Sequence, residues 1–484
     1  MSISSAMSNA VLGLRAAGRG AEVVSSNISN ALTPGYGRRI LALTSGSAGG
    51  LGGVRIAGVV RSVDAGIASD RRLAEAANAS SQGAMGFLSR LESLLGTPDN
   101  PASLSANLSR FEGALVAAAS RPDAPDRLNT AVAEARGLAD SLRAASAGVQ
   151  EARIQADRTI AAQVQELNIG LHQIQTLNVQ ISSTQSQGGE TSGLLDQRQQ
   201  VVDRIGKIVP LREIARDNGQ IALYSTGGAA LIDGQAVTIG FEPANLVTPY
   251  MSIEGGTLSG LTINDRPIRT DSETGALRGG SLGSQFAVRD ELSVTAQSDI
   301  DAIARDLVDR FADPTIDPTL GVGDVGLFTD EGAALNPTEE IGLASRLSLN
   351  AAVDPAQGGE AWRMRDGINA AAEGNVGNAT LMQSLTDALT TSRDAASGSF
   401  SGAPLSATGM ISAVISGVGS NLNAAEQKAS FTSTRLSELT QLQMAGGVDT
   451  DQELQTLMQV EQAYAANARM IEVLDELMQI LNRL

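Results

Sequence analysis

The segment 450–484 constrains the fold of this chain more than any other stretch. Apolar residues recur there at alternating intervals of three and four, with Asn467 as the one polar exception. The positions are Leu457, Val460, Tyr464, Asn467, Ile471, Leu474, Met478 and Leu481. This heptad seam predicts one long helix that packs in a coiled coil. A second stripe of apolar residues lies beside it, at Met470, Val473, Leu477, Ile480 and Leu484. Two adjacent stripes make a face too wide for one partner, so we expect two or more neighbours.

The opposite end of the chain repeats the alternation of four and three. Its apolar positions are Ile3, Met7, Ala10, Leu14, Ala17, Ala21, Val24, Ile28 and Ala31. Arginine dominates the charge of residues 1–40, whereas carboxylates dominate residues 450–484. Because opposite charge favours pairing and register, we predict that the first and last helices lie together. A capping box at Thr450–Glu453 is predicted to begin the last helix.

Composition limits the classes of function that this chain can have. It has 484 residues and a net charge of −18, which argues against nucleic acid and anionic membranes as partners. Cysteine is absent and His172 is the only histidine, which excludes disulfides, thiolate chemistry and histidine-rich metal sites. No apolar run approaches a membrane span, and no secretory signal pattern begins the chain. We therefore expect no cofactor, no metal and no membrane insertion.

The middle of the chain changes from helical to strand-like patterning and back. A long helix is predicted over residues 126–186, an Asn-Gly pair at Asn218 predicts a hairpin, and helix is expected to return near Gln285. The predicted fold is mainly α with an inserted β domain: terminal helices forming a coiled coil, a long-helix bundle body and a small antiparallel β domain. The predicted domains are 1–34 with 449–484, 35–210 with 280–448, and the inserted 211–279.

Three matches to catalytic or ligand motifs lack the context that their chemistry needs. Residues 279–283 read Gly-Gly-Ser-Leu-Gly, like a nucleophile elbow, but His172 lies upstream whereas that family of hydrolases places its histidine downstream. Residues 321–326 match a dinucleotide fingerprint with no strand before it. The acidic loop Asp313–Asp330 lacks the spacing of a calcium loop. No catalytic residue is predicted, and a hydrolase using Ser281 is the remaining enzyme alternative.

Both ends of the chain carry short motifs that include residues outside the heptad positions, and the middle of the chain carries two more. Ser26–Asn30, Thr33–Tyr36 and the run Glu461–Arg469 resemble the flagellar rod, hook and hook-associated axial proteins. In the middle, Leu194–Arg198 and the 279–283 motif resemble the hook-associated protein 1 family in particular. A hook or rod subunit of the same superfamily is the alternative, and a signalling coiled coil is a further one from another class.

The resemblance implies a structural role without catalysis. Members of that family form a ring at the hook–filament junction, and their terminal helices pair within a subunit and pack against neighbours. The implied partners are other copies of the chain, the hook protein, a second hook-associated junction protein and the flagellar type III export apparatus. An export chaperone would bind within Leu454–Leu484. The implied location is extracellular, since the family is secreted through the export channel.

Two sets of residues are predicted to serve this role. The assembly interface is expected at Ile3, Met7, Leu14, Val24, Ile28, Leu457, Val460, Tyr464, Ile471, Leu474, Met478 and Leu481. The residues that carry the family motif are Asn27, Asn30, Pro34, Gly35, Tyr36 and Asn467. Asn467 interrupts the heptad seam, where a polar residue sets register at some cost in stability.

Overall fold

The computed structural model describes residues 3–33, 35–45, 53–400 and 404–483. The longer helices are α1 (Ile3–Asn30), α2 (Ala65–Leu95), α3 (Leu104–Ser120), α4 (Pro125–Ser186) and α5 (Ser192–Ile208). They are followed by α6 (Gly280–Ala287), α7 (Ser293–Phe311), α8 (Leu343–Arg346), α9 (Arg363–Asp366) and α10 (Thr380–Thr390). The last two are α11 (Ala407–Ala445) and α12 (Thr450–Leu481), and α12 packs along α1.

The strands form small antiparallel sheets. They are β1 (Arg38–Ser45), β2 (Val54–Ser62), β3 (Leu211–Ala215), β4 (Ile221–Ser225), β5 (Ala230–Asp233), β6 (Gln235–Ala236), β7 (Ile239–Gly240), β8 (Leu261–Ile263), β9 (Arg266–Ile268), β10 (Phe328–Asp330) and β11 (Leu347–Leu349). The sheets are β1-β2, β3-β4-β5-β6, β7-β8-β9 and β10-β11. The described part of the inserted segment therefore contains two small sheets.

The predicted Asn-Gly hairpin forms between β3 and β4. Asn218 and Gly219 both have positive φ, 54° and 72°, as a tight hairpin turn requires. The turn is closed by the amide of Arg216, which donates to the carbonyl of Gln220 at 2.8 Å. The mainly α fold with inserted antiparallel β structure is thus confirmed.

Helix α4 spans two apolar cores. Its first part, as far as Ala156, packs with α2, α3, α7, α10 and α11, where Phe111, Phe311 and Phe328 meet. From Ile160 onward the same helix packs with α5, α6 and the inserted strands. Because one rigid helix belongs to both cores, the bundle and the β segment have a common support.

Local features differ from the sequence prediction at two helix starts. Asp449 caps α12, since its carboxylate accepts from the amides of Asp451 and Gln452; the Thr450 capping box was wrong. Helix also returns at Gly280 rather than near Gln285, and α6 joins α7 through a π-helical turn at Val288–Leu292. The predicted division into three domains stays a prediction.

Candidate assembly surface

Helix α12 approaches α1 closely because α1 presents glycine beneath it. A Cβ added to Gly13 would lie 2.6 Å from the side-chain oxygen of Asn467. A Cβ on Gly20 would lie 3.3 Å from a methyl carbon of Val460. The small residues at the contact let the two backbones come together, and Asn467 fits where α1 has no side chain. This polar member of the heptad seam therefore packs at the contact between the terminal helices.

A buried ion pair holds the start of α12 against β1. Nε of Arg38 lies 2.7 Å from Oε1 of Glu453, and the Glu453 side chain is only 2% exposed. Breaking such a pair leaves an uncompensated buried charge, which is strongly destabilising. Glu453, predicted to reach back to its own helix start, instead joins the two ends of the chain, as the charge difference between them predicted.

An open groove runs beside this contact. Its volume is about 440 Å³, and its lining is mostly apolar and comes from α1, β1, β2 and α12. Ala16, Ala17 and Gly20 form part of its floor, with Leu41 and Val460 beside them. The single chain therefore leaves part of its terminal-helix contact unfilled.

The second stripe of α12 is exposed. Met470, Val473, Leu477 and Ile480 are between 45 and 56% exposed, although all four are apolar. Within α12 only Glu453 and Leu474 are buried. An exposed apolar stripe of this kind marks an interaction surface rather than a finished exterior. Leu484, the last member of the stripe, lies outside the described residues.

The predicted interface residues differ in how far the chain's own residues bury them. Val24 and Leu474 are buried by the chain's own residues. Partly buried positions are Ile3, Met7, Leu14, Ile28, Leu457, Val460 and Ile471, and exposed ones are Tyr464, Met478 and Leu481. The sequence prediction left the second stripe out of this set, although its periodicity was the signal that could have included it. The interface assignment itself stays a prediction.

The family-motif residues hold the turn after α1. The side chain of Asn27 brackets Arg39, donating to its carbonyl at 2.8 Å and accepting from its amide at 2.9 Å. The hydroxyl of Tyr36 also donates to Asn27, at 2.9 Å. Asn30 donates to the carbonyl of Ser26 at 2.9 Å. The bonds of Asn27 tie the last turns of α1 to the backbone of Arg39, and they thereby fix the direction in which β1 leaves α1.

The rest of the turn packs against α5. Gly35 has φ 79°, and a Cβ there would lie 2.6 Å from Gln200. This position therefore needs glycine twice, for its backbone conformation and for space. Pro34, the remaining motif residue, lies outside the described residues.

Asp196 of α5 interacts with the arginine side chains around this turn. Its carboxylate accepts from Nε of Arg61 at 2.7 Å and from the amide of Gly37 at 3.0 Å, and it lies 3.4 Å from Arg39. Asp196 belongs to the Leu-Leu-Asp-Gln-Arg run that carried the resemblance. Sequence reasoning singled out the run but did not assign this side chain a role, because its partners are distant along the chain.

Arg198 of the same run joins α5 to the inserted strands. Its Nη1 donates to Oδ1 of Asn178 at 2.8 Å and to the carbonyl of Gly219 at 2.7 Å. Burial lowers the pKa of the Arg198 guanidinium, because removal from water disfavours its charged form. The run thus connects the terminal turn, through α5, to the Asn-Gly hairpin.

The rejected motifs have structural surroundings of their own. Ser281 lies in the first turn of α6, after a turn-rich segment rather than a strand, and no hydrogen bond joins it to His172 within the described ranges. The same ranges contain no group of three or more acidic or histidine side chains placed to hold a metal ion. Nor does any described helix combine the length and apolarity that crossing a bilayer requires.

Comparison with known proteins gives matches in two parts of the chain. Residues 88–314 match the family model of the flagellar hook-associated protein FlgK helical domain. Residues 445–484 match that of the flagellar basal body rod FlgEFG protein C-terminal. These segments hold much of the α-helical body and all of the described part of α12.

Individual proteins similar to this chain include two named flagellar hook-associated protein 1. Flagellar hook-associated protein 1 of Salmonella typhimurium is 29% identical over 289 residues, which cover 57% of this chain and 51% of that protein. The Bacillus subtilis protein of the same name is 23% identical over 410 residues, covering 81% and 78%. The chain thus aligns with about half the length of the Salmonella relative. The flagellar hook junction protein FlgK from Burkholderia pseudomallei superposes with a TM-score of 0.44 at 20% identity, covering 54% of this chain and 46% of that one.

Proposed function

We propose that this chain is a member of the family of flagellar hook-associated protein 1, whose helical-domain model it matches over residues 88–314, and that it is a structural subunit of the bacterial flagellum. Its place is the junction between hook and filament, where copies of the chain form a ring. The role requires packing and no catalysis. The observation that carries the proposal is the exposed second stripe of α12, which the chain's own residues leave uncovered.

The physical basis of the proposal is that two faces of α12 have different contacts in the single chain. Within the heptad seam, Asn467 packs on Gly13 and Val460 on Gly20 of α1, whereas the last seam residues, Met478 and Leu481, are exposed like the second stripe. The second stripe then remains for neighbouring copies. Each of its side chains contributes on the order of 1.5–3 kcal/mol when buried, before the entropy of ordering is subtracted. Repeated at every contact around a ring, this is enough to hold a junction together.

The remaining partners follow from the family role. We propose that the ring contacts the hook protein on one side and a second hook-associated junction protein on the other. The chain would reach this extracellular place through the flagellar type III export apparatus, with an export chaperone covering residues within Leu454–Leu484 beforehand. The exposed apolar residues of α12, among them Leu454 and Met458, give such a chaperone a surface to cover.

A hook or rod subunit is the second candidate. The match of residues 445–484 to the rod-protein C-terminal model agrees with either role, because it describes only the closing helix. The match of residues 88–314 to the hook-associated helical domain favours the junction. For this reason the junction role is preferred.

The test places a charge on the second stripe in a strain lacking the native gene. Val473→Asp with Ile480→Asp is expected to give hooks without filaments, and filament protein shed into the medium. The matched control is Val179→Asp, because Val179 is a similarly exposed apolar residue, 61% exposed, and belongs to α4 rather than to a terminal helix. Both variants should keep the free energy of unfolding of the purified chain within about 0.5 kcal/mol, since the residues are on the surface.

Two results would reject the proposal. Normal filaments in the doubly charged variant would mean that the second stripe joins nothing. Absence of hooks in the deletion strain would instead favour the hook or rod alternative.

A further inference from the structure

The only tryptophan of the chain lies outside both segments that match known families, and it lines a cleft. Trp362 directly precedes α9, in the part of the chain between the matched residues 88–314 and 445–484. The cleft has a volume of about 420 Å³ and lies between the start of α4 and the segment 355–376. This volume suits a small ligand or a single inserted side chain.

Both walls of the cleft are fixed by interactions of their own. The guanidinium of Arg363 lies 4.8 Å from the centre of the Trp362 ring, and its Nη1 donates to the carbonyls of Ile368 and Ala370. Next to the cleft, the buried carboxylate of Asp354 accepts from the amide of Ala356 at 2.9 Å and pairs with Arg136 of α4, which ties the start of the 355–376 segment to that helix. A preformed cleft binds without first ordering its walls.

Negative charge outweighs positive charge in the lining. Asp123, Glu360 and Glu373 contribute carboxylates, whereas Arg365 contributes the one guanidinium. Arg365 is already engaged, with Nη2 lying 2.6 Å from Asp366 and 3.1 Å from Glu373. Glu360 forms no ion pair with any described residue. Asp123 lies 3.9 Å from the guanidinium of Arg121, so Glu360 is the lining carboxylate whose charge is left for a ligand.

We propose that this cleft binds an organic cation, an alkylammonium or guanidinium group held between Trp362 and Glu360. An aromatic face attracts such a group through its quadrupole, and an adjacent carboxylate adds direct charge attraction. The apolar contacts of Pro125, Leu128 and Pro355 suit the carbon body that carries the charge. The group could belong to a free amine or to a basic side chain of a protein, since both present the same chemistry. The inference does not depend on the flagellar role.

Trp362 provides the measurement, because its fluorescence reports this cleft and no other site. The purified full-length chain is titrated with N-acetyl-arginine amide and with N-acetyl-citrulline amide, which has nearly the same shape without the charge. We expect a saturable change with the arginine compound and at least tenfold weaker binding of the citrulline compound. Binding should also weaken as salt is added, since charge attraction is screened.

Matched variants test whether binding depends on the carboxylates of the cleft or on the negative charge of the chain as a whole. Glu360→Gln and Asp123→Asn are each expected to weaken binding of the arginine compound, Glu360→Gln by about tenfold. Glu254→Gln removes an exposed carboxylate outside the cleft and should leave binding unchanged. All three positions are exposed, so the variants are expected to fold.

Several outcomes decide the matter. Equal binding of the two amides, preferential binding of a neutral disaccharide such as maltose, or no saturable change at millimolar ligand would each overturn the proposal. Agmatine binding as tightly as an arginine-containing peptide would assign the cleft to free amines. Tighter binding of the peptide would assign it to a basic side chain of a partner.

Discussion

Helices α4 and α12 are both long, but the chain uses them in opposite ways. α4 buries residues along almost its whole length, from Leu128 to Ile181, in two cores. α12 has apolar residues enough for two stripes, yet buries only Glu453 and Leu474. Apolar residues at helical spacing are therefore mostly buried in α4 and mostly exposed in α12. The comparison indicates that the body is complete in one chain, whereas the terminal pair is not.

This contrast gives each region a different expected response to substitution. A change in the body removes contacts that one chain makes, so it should appear in the free energy of unfolding. A change in α12 removes little from the single chain, so it should appear in assembly or in local opening instead. The following predictions test that separation, beginning with the largest expected effect.

The largest effect is expected at Arg289, in the π-helical turn beside α4. This fully buried guanidinium pairs with Asp157 at 2.6 Å and with Asp290 at 2.9 Å, and donates to the carbonyl of Ser259. Arg289→Met leaves the buried Asp157 without its ion pair and should lower the free energy of unfolding by about 3–5 kcal/mol. Urea denaturation measures this change.

The control for that prediction is an arginine outside the core. Arg435 of α11 is more than half exposed and lies 3.7 Å from Glu438. Arg435→Met should change the free energy of unfolding by less than about 0.5 kcal/mol. Similar losses in both variants would contradict the view that the body depends on its buried charges.

A somewhat smaller effect is expected from the proton on Asp301. This buried carboxylate of α7 accepts from the amides of Gly342 and Ala344, and burial raises its pKa from 3.8 to about 6. The folded chain therefore holds the proton more tightly than the unfolded chain. This difference stabilises the folded chain by about 3 kcal/mol at a pH below 4. The stabilisation is lost as the pH rises through 6.

The measurement is urea denaturation between pH 4 and pH 7.5. Asp301→Asn removes the titrating group, so the difference in stability between variant and native chain should change across that range. Asp387→Asn, an exposed carboxylate on α10, should give a constant difference. A constant difference for Asp301→Asn as well would show that its pKa is not raised.

The smallest effect on global stability is expected at Gly13. Because a Cβ there would lie 2.6 Å from Asn467, Gly13→Ala should push α12 away from α1. Urea denaturation of the body should be unchanged within about 0.5 kcal/mol, while trypsin cleavage after Arg469 should become faster. Gly18→Ala is the matched control, because a Cβ at Gly18 meets no atom within 4 Å.

A compensating change sharpens this prediction. Asn467→Ala combined with Gly13→Ala removes the clash and should restore slow cleavage after Arg469. Fast cleavage in the native chain, equal to that of Gly13→Ala, would mean that α12 is not held on α1 before assembly.

Much of the fold followed from local patterns in the sequence. The long helix ending at Ser186 and the hairpin at Asn218 follow from periodicity and turn chemistry, which involve only neighbouring residues. The helix start at Thr450 was mistaken because Asp449 offers a carboxylate that competes for the same amides. Of the site, the charge match between the ends of the chain was visible, but the Arg38–Glu453 pair was not.

By itself, the sequence determined where the helices lie, that both ends carry apolar stripes, and that the two ends attract each other. Only the tertiary structure decided which residues of α12 pack on α1 and which stay exposed, because the contacts of Val460 and Asn467 depend on glycines hundreds of residues away. It also decided the partners of Asp196 and brought Trp362 beside the start of α4. Periodicity is a property of neighbouring residues, whereas contact between distant segments is a property of the folded chain.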